Sequence, residues 1–252
     1  MASTLPLSGV VITRDEADRI ARCLAPLLAL CRQVVVVDSG SSDDTVAIAR
    51  ALGAEVHHRD WPGYAEQKNT AIALATQPWV LLLDADEWLE PDAVDALRRL
   101  FDSGRVESAD AWQLLRRTHF LGRAMRFGSF AREPVERLFR SHLRHAVLPV
   151  HEFLDTRGQR VARADIRLEH DTARSEAEYA AKLERYARLS AGAAVARGGR
   201  SWPGRGLLAA AAYALKNLLL RGGVLDGPHA WRFHRLHMRY AALKYRLRAP
   251  AD

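Results

Sequence analysis

Cysteine, long apolar runs and internal repeats are what this 252-residue sequence has least of. Its two cysteines, Cys23 and Cys31, stand eight apart and match no metal-ligand or redox spacing, which fits a reducing, cytosolic compartment. The apolar stretch over residues 207–215 is halted by Lys216 and Asn217. A bilayer span needs roughly 20 apolar residues, so integral insertion is not expected. The opening Met1-Ala2-Ser3-Thr4-Leu5-Pro6 carries no basic segment followed by a long apolar one, so no secretory signal is expected either.

What is present begins with an uneven charge. The chain carries a formal +7, yet residues 197–252 hold eleven Lys/Arg against two Asp/Glu, leaving the first 196 residues with 26 basic and 28 acidic side chains. That is a near-neutral domain followed by a basic tail, and anionic membrane and nucleic acid are the two partners such a tail suits. The tail interleaves Trp231, Phe233, Leu236, Met238, Tyr240, Leu243, Tyr245 and Leu247 with Arg232, Arg235, Arg239, Lys244, Arg246 and Arg248. Such a helix either lies in a membrane interface or packs on its own protein with snorkelling arginines.

Over the first hundred residues, short β-branched runs alternate with helical stretches. Strands are expected at Val10-Val11-Ile12, Val34-Val35-Val36-Val37, Glu55-Val56-His57 and around 79–83, and helices over 17–30, 45–52, 65–75 and 91–101. Four consecutive valines leave no polar face, so these strands are buried on both sides and helices must flank them. The expected class is α/β, with a mostly parallel sheet. Further strands are expected at 112–115 and 135–139, and helices over 176–196, 207–220 and 229–247, the last two beyond a glycine-rich break at 192–206.

In an open parallel sheet, ligands bind at the carboxyl ends of the strands. Three such tips are polar: Thr13-Arg14-Asp15-Glu16, Asp38-Ser39-Gly40-Ser41-Ser42-Asp43 and Asp84-Ala85-Asp86-Glu87. Massed carboxylates repel one another, and a cation or ligand is the natural compensation. Asp84 and Asp86, two apart after a buried strand, suit Mg²⁺ or Mn²⁺ with a substrate diphosphate; the competing reading is an acidic helix N-terminus before Pro91. Arg116, Arg117, Arg123, Arg126 and Arg132 could read phosphate or simply be solvated.

The chain resembles glycosyltransferase family 2, of GT-A fold, and in particular the small enzymes of bacterial lipopolysaccharide core assembly. The matching stretches include Val10-Val11-Ile12-Thr13, Val35-Val36-Val37-Asp38-Ser39-Gly40-Ser41-Ser42-Asp43, Trp61-Pro62-Gly63-Tyr64, Gln67-Lys68-Asn69 and Leu83-Asp84-Ala85-Asp86-Glu87. They continue through Phe120-Leu121-Gly122, Arg137-Leu138-Phe139-Arg140, Val150-His151-Glu152 and Leu225-Asp226-Gly227. The resemblance implies that Thr13, Glu16 and Asp38 bind the nucleoside, that Lys68 lies near the base or diphosphate, that Asp84 lies near the ribose, and that Asp86 holds the metal. Similar enzymes often bring a late histidine to that metal, so His170 is either such a ligand, better suited to Mn²⁺, or a partly buried polar group after a strand. The family usually has Asn where this chain has Asp15. Glu152 stands where similar enzymes carry the base that deprotonates the acceptor hydroxyl, and His151 would position it or cap a loop.

The expectation is an inverting transferase with a UDP-sugar donor, a divalent metal and a lipid-linked saccharide acceptor, peripheral to the cytoplasmic face of the inner membrane. Residues 1–196 would form the catalytic domain, with a nucleotide-binding part to about 103 and an acceptor part to 196. Residues 197–252 would form a basic amphipathic extension. Transfer to a polyprenyl phosphate is the nearest rival, since that acceptor is already an anion and needs no strong base. A nucleic-acid-binding protein is the rival of another class, opposed by charge confined to the tail and by the lack of a recognition motif.

Overall fold

A computed structural model describes residues 3–147 and 153–249. His151 and Glu152 lie outside the described residues. The chain divides into two compact units, Met1–Arg116 with Glu133–His170, and Arg117–Arg132 with Asp171–Asp252.

In the first unit, β1 (Leu5–Thr13), α1 (Ile20–Leu30), β2 (Cys31–Asp38), α2 (Thr45–Ala51), β3 (Glu55–His58), α3 (Tyr64–Ala73) and β4 (Trp79–Asp84) follow one another. The four strands pair in parallel in the order β3-β2-β1-β4. The valine run shows why the sheet is covered twice. Val34 and Val36 join the cluster of Leu24 and Leu27 from α1, whereas Val35 and Val37 join Ala71 and Ile72 from α3. Alternation on a pleated strand sends successive side chains to opposite faces.

Beyond β4 come β5 (Glu87–Trp88), α4 (Pro91–Asp102), β6 (Ala111–Phe120), β7 (Arg123–Ala124), β8 (Glu133–Arg140), β9 (His145–Ala146), β10 (Phe153–Leu154) and β11 (Val161–Asp171). The sheet runs β3-β2-β1-β4-β8-β6-β11-β5, with β7 beside β6. Its second half departs from the mostly parallel expectation: β4/β8, β8/β6 and β11/β5 are antiparallel. Parallel pairing needs a crossover connection, usually a helix, and between Asp102 and β11 the described chain offers only a single 3₁₀ turn, Arg105–Ser108.

The second unit carries α5 (Glu176–Ala196), α6 (Arg205–Ala214) running into a π turn (Leu215–Leu220), a 3₁₀ turn (Gly223–Asp226) and α7 (Pro228–Arg246). Ser175 caps α5 by accepting the Glu178 amide at 3.1 Å, and the Glu178 carboxylate takes the Arg174 amide in return at 3.0 Å. The core is aromatic: Tyr179 stacks on Phe233 at 5.5 Å, with Phe120 and Phe130 edge-on to Phe233 at 5.3 and 4.8 Å. Tyr179 and Leu183 of α5 share this core with Phe233 and Leu236 of α7. The packing boundary therefore places α5 with the basic tail instead of ending the first domain at 196, because its apolar face has its partners there. The open choice for α7 falls toward packing, since Phe233 and Leu236 are buried and Tyr240 packs against the same core.

Candidate functional site

Strand register assembles the polar tips. Thr13 stands opposite Asp38 across β1 and β2, and Ile12 stands opposite Asp84 across β1 and β4. All three tips therefore end at one edge of the parallel half, the carboxyl edge where such sheets bind ligands.

Two of the tips are stitched together by side-chain caps. Asp38 Oδ2 accepts the amides of Gly40 and Ser41 at 2.8 and 2.9 Å, and Oδ1 accepts the Ser41 hydroxyl. This tight loop needs Gly40 at a φ of +84°, in the left-handed region. Ser41 Oγ in turn accepts the Asp15 amide at 2.8 Å, while Asp15 Oδ1 accepts the Ser42 amide at 2.7 Å. That Ser42 bond holds the Asp15 carboxyl below its ordinary value. Asp15 itself has a φ of +53°. Asn and Asp both tolerate that conformation, so aspartate keeps the backbone turn at the position where the resembled family has Asn. Glu16 is fixed by its amide, which donates to Thr45 Oγ1 at 2.8 Å, and its carboxylate lies 3.5 Å from buried Arg19.

The third tip is a buried ion network. Arg137 of β8 donates through Nη2 to Asp84 Oδ2 and Glu87 Oε1 at 2.6 Å each, and Lys68 Nζ of α3 lies 3.3 Å from Asp84 Oδ1. Glu87 is fully buried; it also takes Arg116 Nη1 at 3.3 Å and the Asp84 amide at 3.1 Å. Burial alone would raise the Asp84 carboxyl, but Arg137, Lys68 and Arg116 outweigh it and hold the group well below the usual carboxylate range. Asp84 is thus a fixed anion. Arg137 and Glu87 have no assigned role in the sequence, and Arg116 stands there as a phosphate reader or a solvated charge, whereas here all three are ion-paired. The available signal was an arginine set directly before the apolar pair Leu138-Phe139. A charge in such a place requires buried partners.

Asp86 and His170 meet at the same edge. Strand β11 pairs with β5 so that His170 stands opposite Glu87, and His170 Nε2 lies 3.3 Å from Asp86 Oδ2. Two ligands of one small cation at about 2.1 Å sit about 3 Å apart in octahedral geometry, so the pair fits as one oxygen and one nitrogen donor. Among the described residues no group of three or more His, Cys, Asp or Glu forms a ready-made metal site. Mg²⁺ and Mn²⁺ commonly complete such a protein set with water and substrate phosphate.

Lys68 has neighbours that the sequence did not announce. Gln67 is fully buried, donates to Ser39 Oγ at 3.0 Å, and leaves Oε1 without a hydrogen-bond partner among the described residues, as does buried Thr13 Oγ1. Asn69 exchanges two bonds with the His145 backbone, at 2.7 and 2.9 Å, tying α3 to β9. Burial, with Lys68 and Arg137 nearby, lowers the His145 pKa to about 3 and keeps the ring neutral. Of the sequence-nominated residues, Thr13, Glu16, Asp38, Lys68, Asp84, Asp86 and His170 all lie in the first unit. His151 and Glu152 are outside the described residues, between β9 and β10, which pair antiparallel. The arginine group divides: Arg116 belongs to the first unit, and Arg117, Arg123, Arg126 and Arg132 to the second.

Comparison with known proteins bears on this arrangement. The chain is 42% identical over 108 residues to an uncharacterized glycosyltransferase of Rickettsia felis, a match covering 43% of this chain and 38% of that protein. It is 34% identical over 129 residues to the lipopolysaccharide core biosynthesis glycosyltransferase LpsC of Rhizobium meliloti, covering 48% of this chain and 46% of LpsC. The chain thus spans less than half the length of these relatives. A crystal structure of S. aureus TarS superposes with a TM-score of 0.48 at 15% identity, covering 73% of this chain and 65% of that one. The sequence profile described as "Glycosyl transferase family 2" matches residues 8–149, from β1 through the ion network to the segment after β9. Covering more than half of the sequence and all three polar strand tips, that match makes the chain a member of glycosyl transferase family 2.

Proposed function

We propose that the protein is an inverting, metal-dependent glycosyltransferase. It moves a hexose or heptose from a UDP-sugar to a lipid-linked saccharide, as in lipopolysaccharide core assembly, at the cytoplasmic face of a bacterial membrane. One observation carries this reading: Asp84 is already neutralised by Lys68 and Arg137, while Asp86 and His170 stand 3.3 Å apart beside it. Family membership and the likeness to LpsC support the reaction class and the polysaccharide context.

The Thr13 hydroxyl and Gln67 carbonyl, without partners among the described residues, flank the Asp38 loop and suit a nucleoside that brings its own donors. Lys68 keeps one cationic head at the Asp84 edge, where a diphosphate and a ribose would be held. Asp86 and His170 would hold Mn²⁺ or Mg²⁺, which supplies positive charge to the departing diphosphate. In the transfer, the acceptor hydroxyl oxygen bonds to the anomeric carbon as the bond from that carbon to the diphosphate oxygen breaks. The hydroxyl proton passes to the Glu152 carboxylate.

Steady-state transfer by two variants tests the assignment. Glu152→Gln keeps shape but accepts no proton, so kcat should fall about 10²–10⁴-fold with donor KM nearly unchanged. Asp86→Ala should instead abolish Mn²⁺-dependent UDP binding in calorimetric titration. A near-normal kcat in the Gln variant would remove Glu152 as the base and favour a phosphate acceptor.

A further inference from the structure

Helix α6 and the π turn that continues it carry a row of leucines on their outward side, while Tyr213 and Leu218 face inward. Leu207, Leu208, Leu215, Leu219 and Leu220 are all exposed, Leu207 at 75% and Leu220 at 76%, and α6 has no buried residue. The spacing follows helical turns, so they form one continuous stripe and not scattered exposure. The opposite side explains the inversion. Gly206 packs so close to α7 that a Cβ there would lie 2.7 Å from the Ala242 carbonyl oxygen, and Ala209, Ala210 and Ala214 are only partly exposed. At Gly206 only a residue without a Cβ admits that approach. Farther along the helix Tyr213 packs inward, its hydroxyl 2.8 Å from His234 Nδ1 and its ring stacked on His237, and the exposed leucines lie on the other side. The 3₁₀ turn adds Leu225, 68% exposed.

An exposed stripe of this size on a water-soluble surface is unfavourable, since each leucine forgoes burial. The charge around it selects the partner. From Arg197 to Leu225 there are five Lys/Arg and no Asp or Glu. The first acid, Asp226, is turned inward, accepting the amides of Arg126 and Phe127 at 2.9 Å. Trp202 and Trp231 are both more than half exposed, as tryptophan is at the polar boundary of a bilayer. At 1.5 Å per residue, the 16 residues from Arg205 to Leu220 reach about 24 Å, short of a hydrocarbon core about 30 Å thick. No described helix is long and apolar enough to cross a membrane. The segment is thus shaped to lie in an interface.

We propose that Arg205–Leu220 together with Leu225 is a membrane-docking surface, inserting its leucine stripe into the headgroup boundary of an anionic lipid bilayer, with exposed Lys216 and the local excess of arginine supplying the positive charge that attracts the lipid phosphates. This assigns to α6 the role the sequence pattern had left open for α7. It deepens the membrane-face reading above and rests on it for the choice of partner, but not for its chemistry. A protein that binds vesicles and transfers no sugar would leave it standing.

The test is sedimentation of the full chain with unilamellar vesicles, either phosphatidylglycerol with phosphatidylcholine or phosphatidylcholine alone. The intact protein should bind the anionic vesicles and be weakened by salt. Leu208→Glu with Leu219→Glu should lower partitioning at least tenfold, with an unchanged far-UV circular dichroism spectrum. Should the glutamates disturb the fold, Leu208→Ser with Leu219→Ser gives the same reading. Equal partitioning of variant and intact protein overturns the proposal, as does failure of the intact chain to bind anionic vesicles. A lipid-free dimer by sedimentation equilibrium, dissociated by the same substitutions and indifferent to vesicles, would overturn it in favour of a second copy of the chain.

Discussion

Helices α4 and α6 differ by two residues in length and present opposite faces to water. Helix α4 buries Ala93, Leu97 and Leu100 and exposes Asp92, Asp95 and Arg99. Helix α6 exposes Leu207 and Leu208 and turns Gly206, three alanines and Tyr213 inward. The difference lies in what each packs on. A sheet face of β-branched and leucine side chains accepts large knobs along its length, whereas the approach of Gly206 to Ala242 leaves no room for a side chain at that point of the α6/α7 seam. The same contrast holds for charge. The first unit buries Arg137 and Glu87 beside the Asp84 edge, and the second keeps neutral histidines among aromatics. An amphipathic pattern therefore says that a helix has two faces, and its packing partner says which one is wet.

The largest expected effect comes from breaking the buried charge of the first unit. Arg137→Met leaves Glu87 and Asp84 with less than their full compensation, and should cost about 3–5 kcal/mol of folding stability by denaturant titration. A loss under about 1 kcal/mol would mean that Lys68 and Arg116 suffice. Next comes the direct comparison of the two helices. Leu97→Ala, at a fully buried position, should cost about 2–5 kcal/mol. Leu208→Ala, 59% exposed, should stay within about 0.5 kcal/mol. Equal costs would show that the α6 stripe is covered in solution.

The smallest effect concerns the second unit's histidines. Burial lowers His234 to about 4 and His237 to about 3, from an ordinary value of 6.5. Below pH 6.5 the unfolded chain takes up protons that the folded core refuses, so their contribution is complete above 6.5. It is lost progressively as pH falls from 6.5 toward 3. His237→Phe forfeits the 2.7 Å bond with the Tyr179 hydroxyl, and so lowers the Tm at neutral pH. It should nevertheless lose less Tm between pH 7 and 4.5 than the parent does. Equal losses would place the acid sensitivity at His234 or at His145 of the first unit.

Much of this was legible in advance. The valine run, the Trp79-Val80-Leu81-Leu82-Leu83 strand and the polar residues after each implied a doubly covered sheet with a ligand edge, because hydrophobic period and strand-end rules are local. Helix α5 occupies 176–196 as expected. Strand β11 was not among the expected strands, although Ala164, Ile166 and Leu168 alternate in sequence with Arg163, Asp165 and Arg167 and are buried between them. Nor was its antiparallel partner β5, being two residues long. The Asp86–His170 pair joins positions 84 residues apart, and only the β11/β5 register brings them together.

The sequence by itself determined the α/β class, the family and the acid-bearing strand tips, because these rest on side-chain periodicity and on motifs within a few residues of one another. Tertiary structure alone decided three things. It turned the sheet antiparallel after β4, once crossover helices ran out. It recruited Arg137 from β8 to neutralise Asp84 across 53 residues. It set the leucines of α6 facing outward. Each depends on which element lies alongside, and that contact energy is absent from any local stretch of chain.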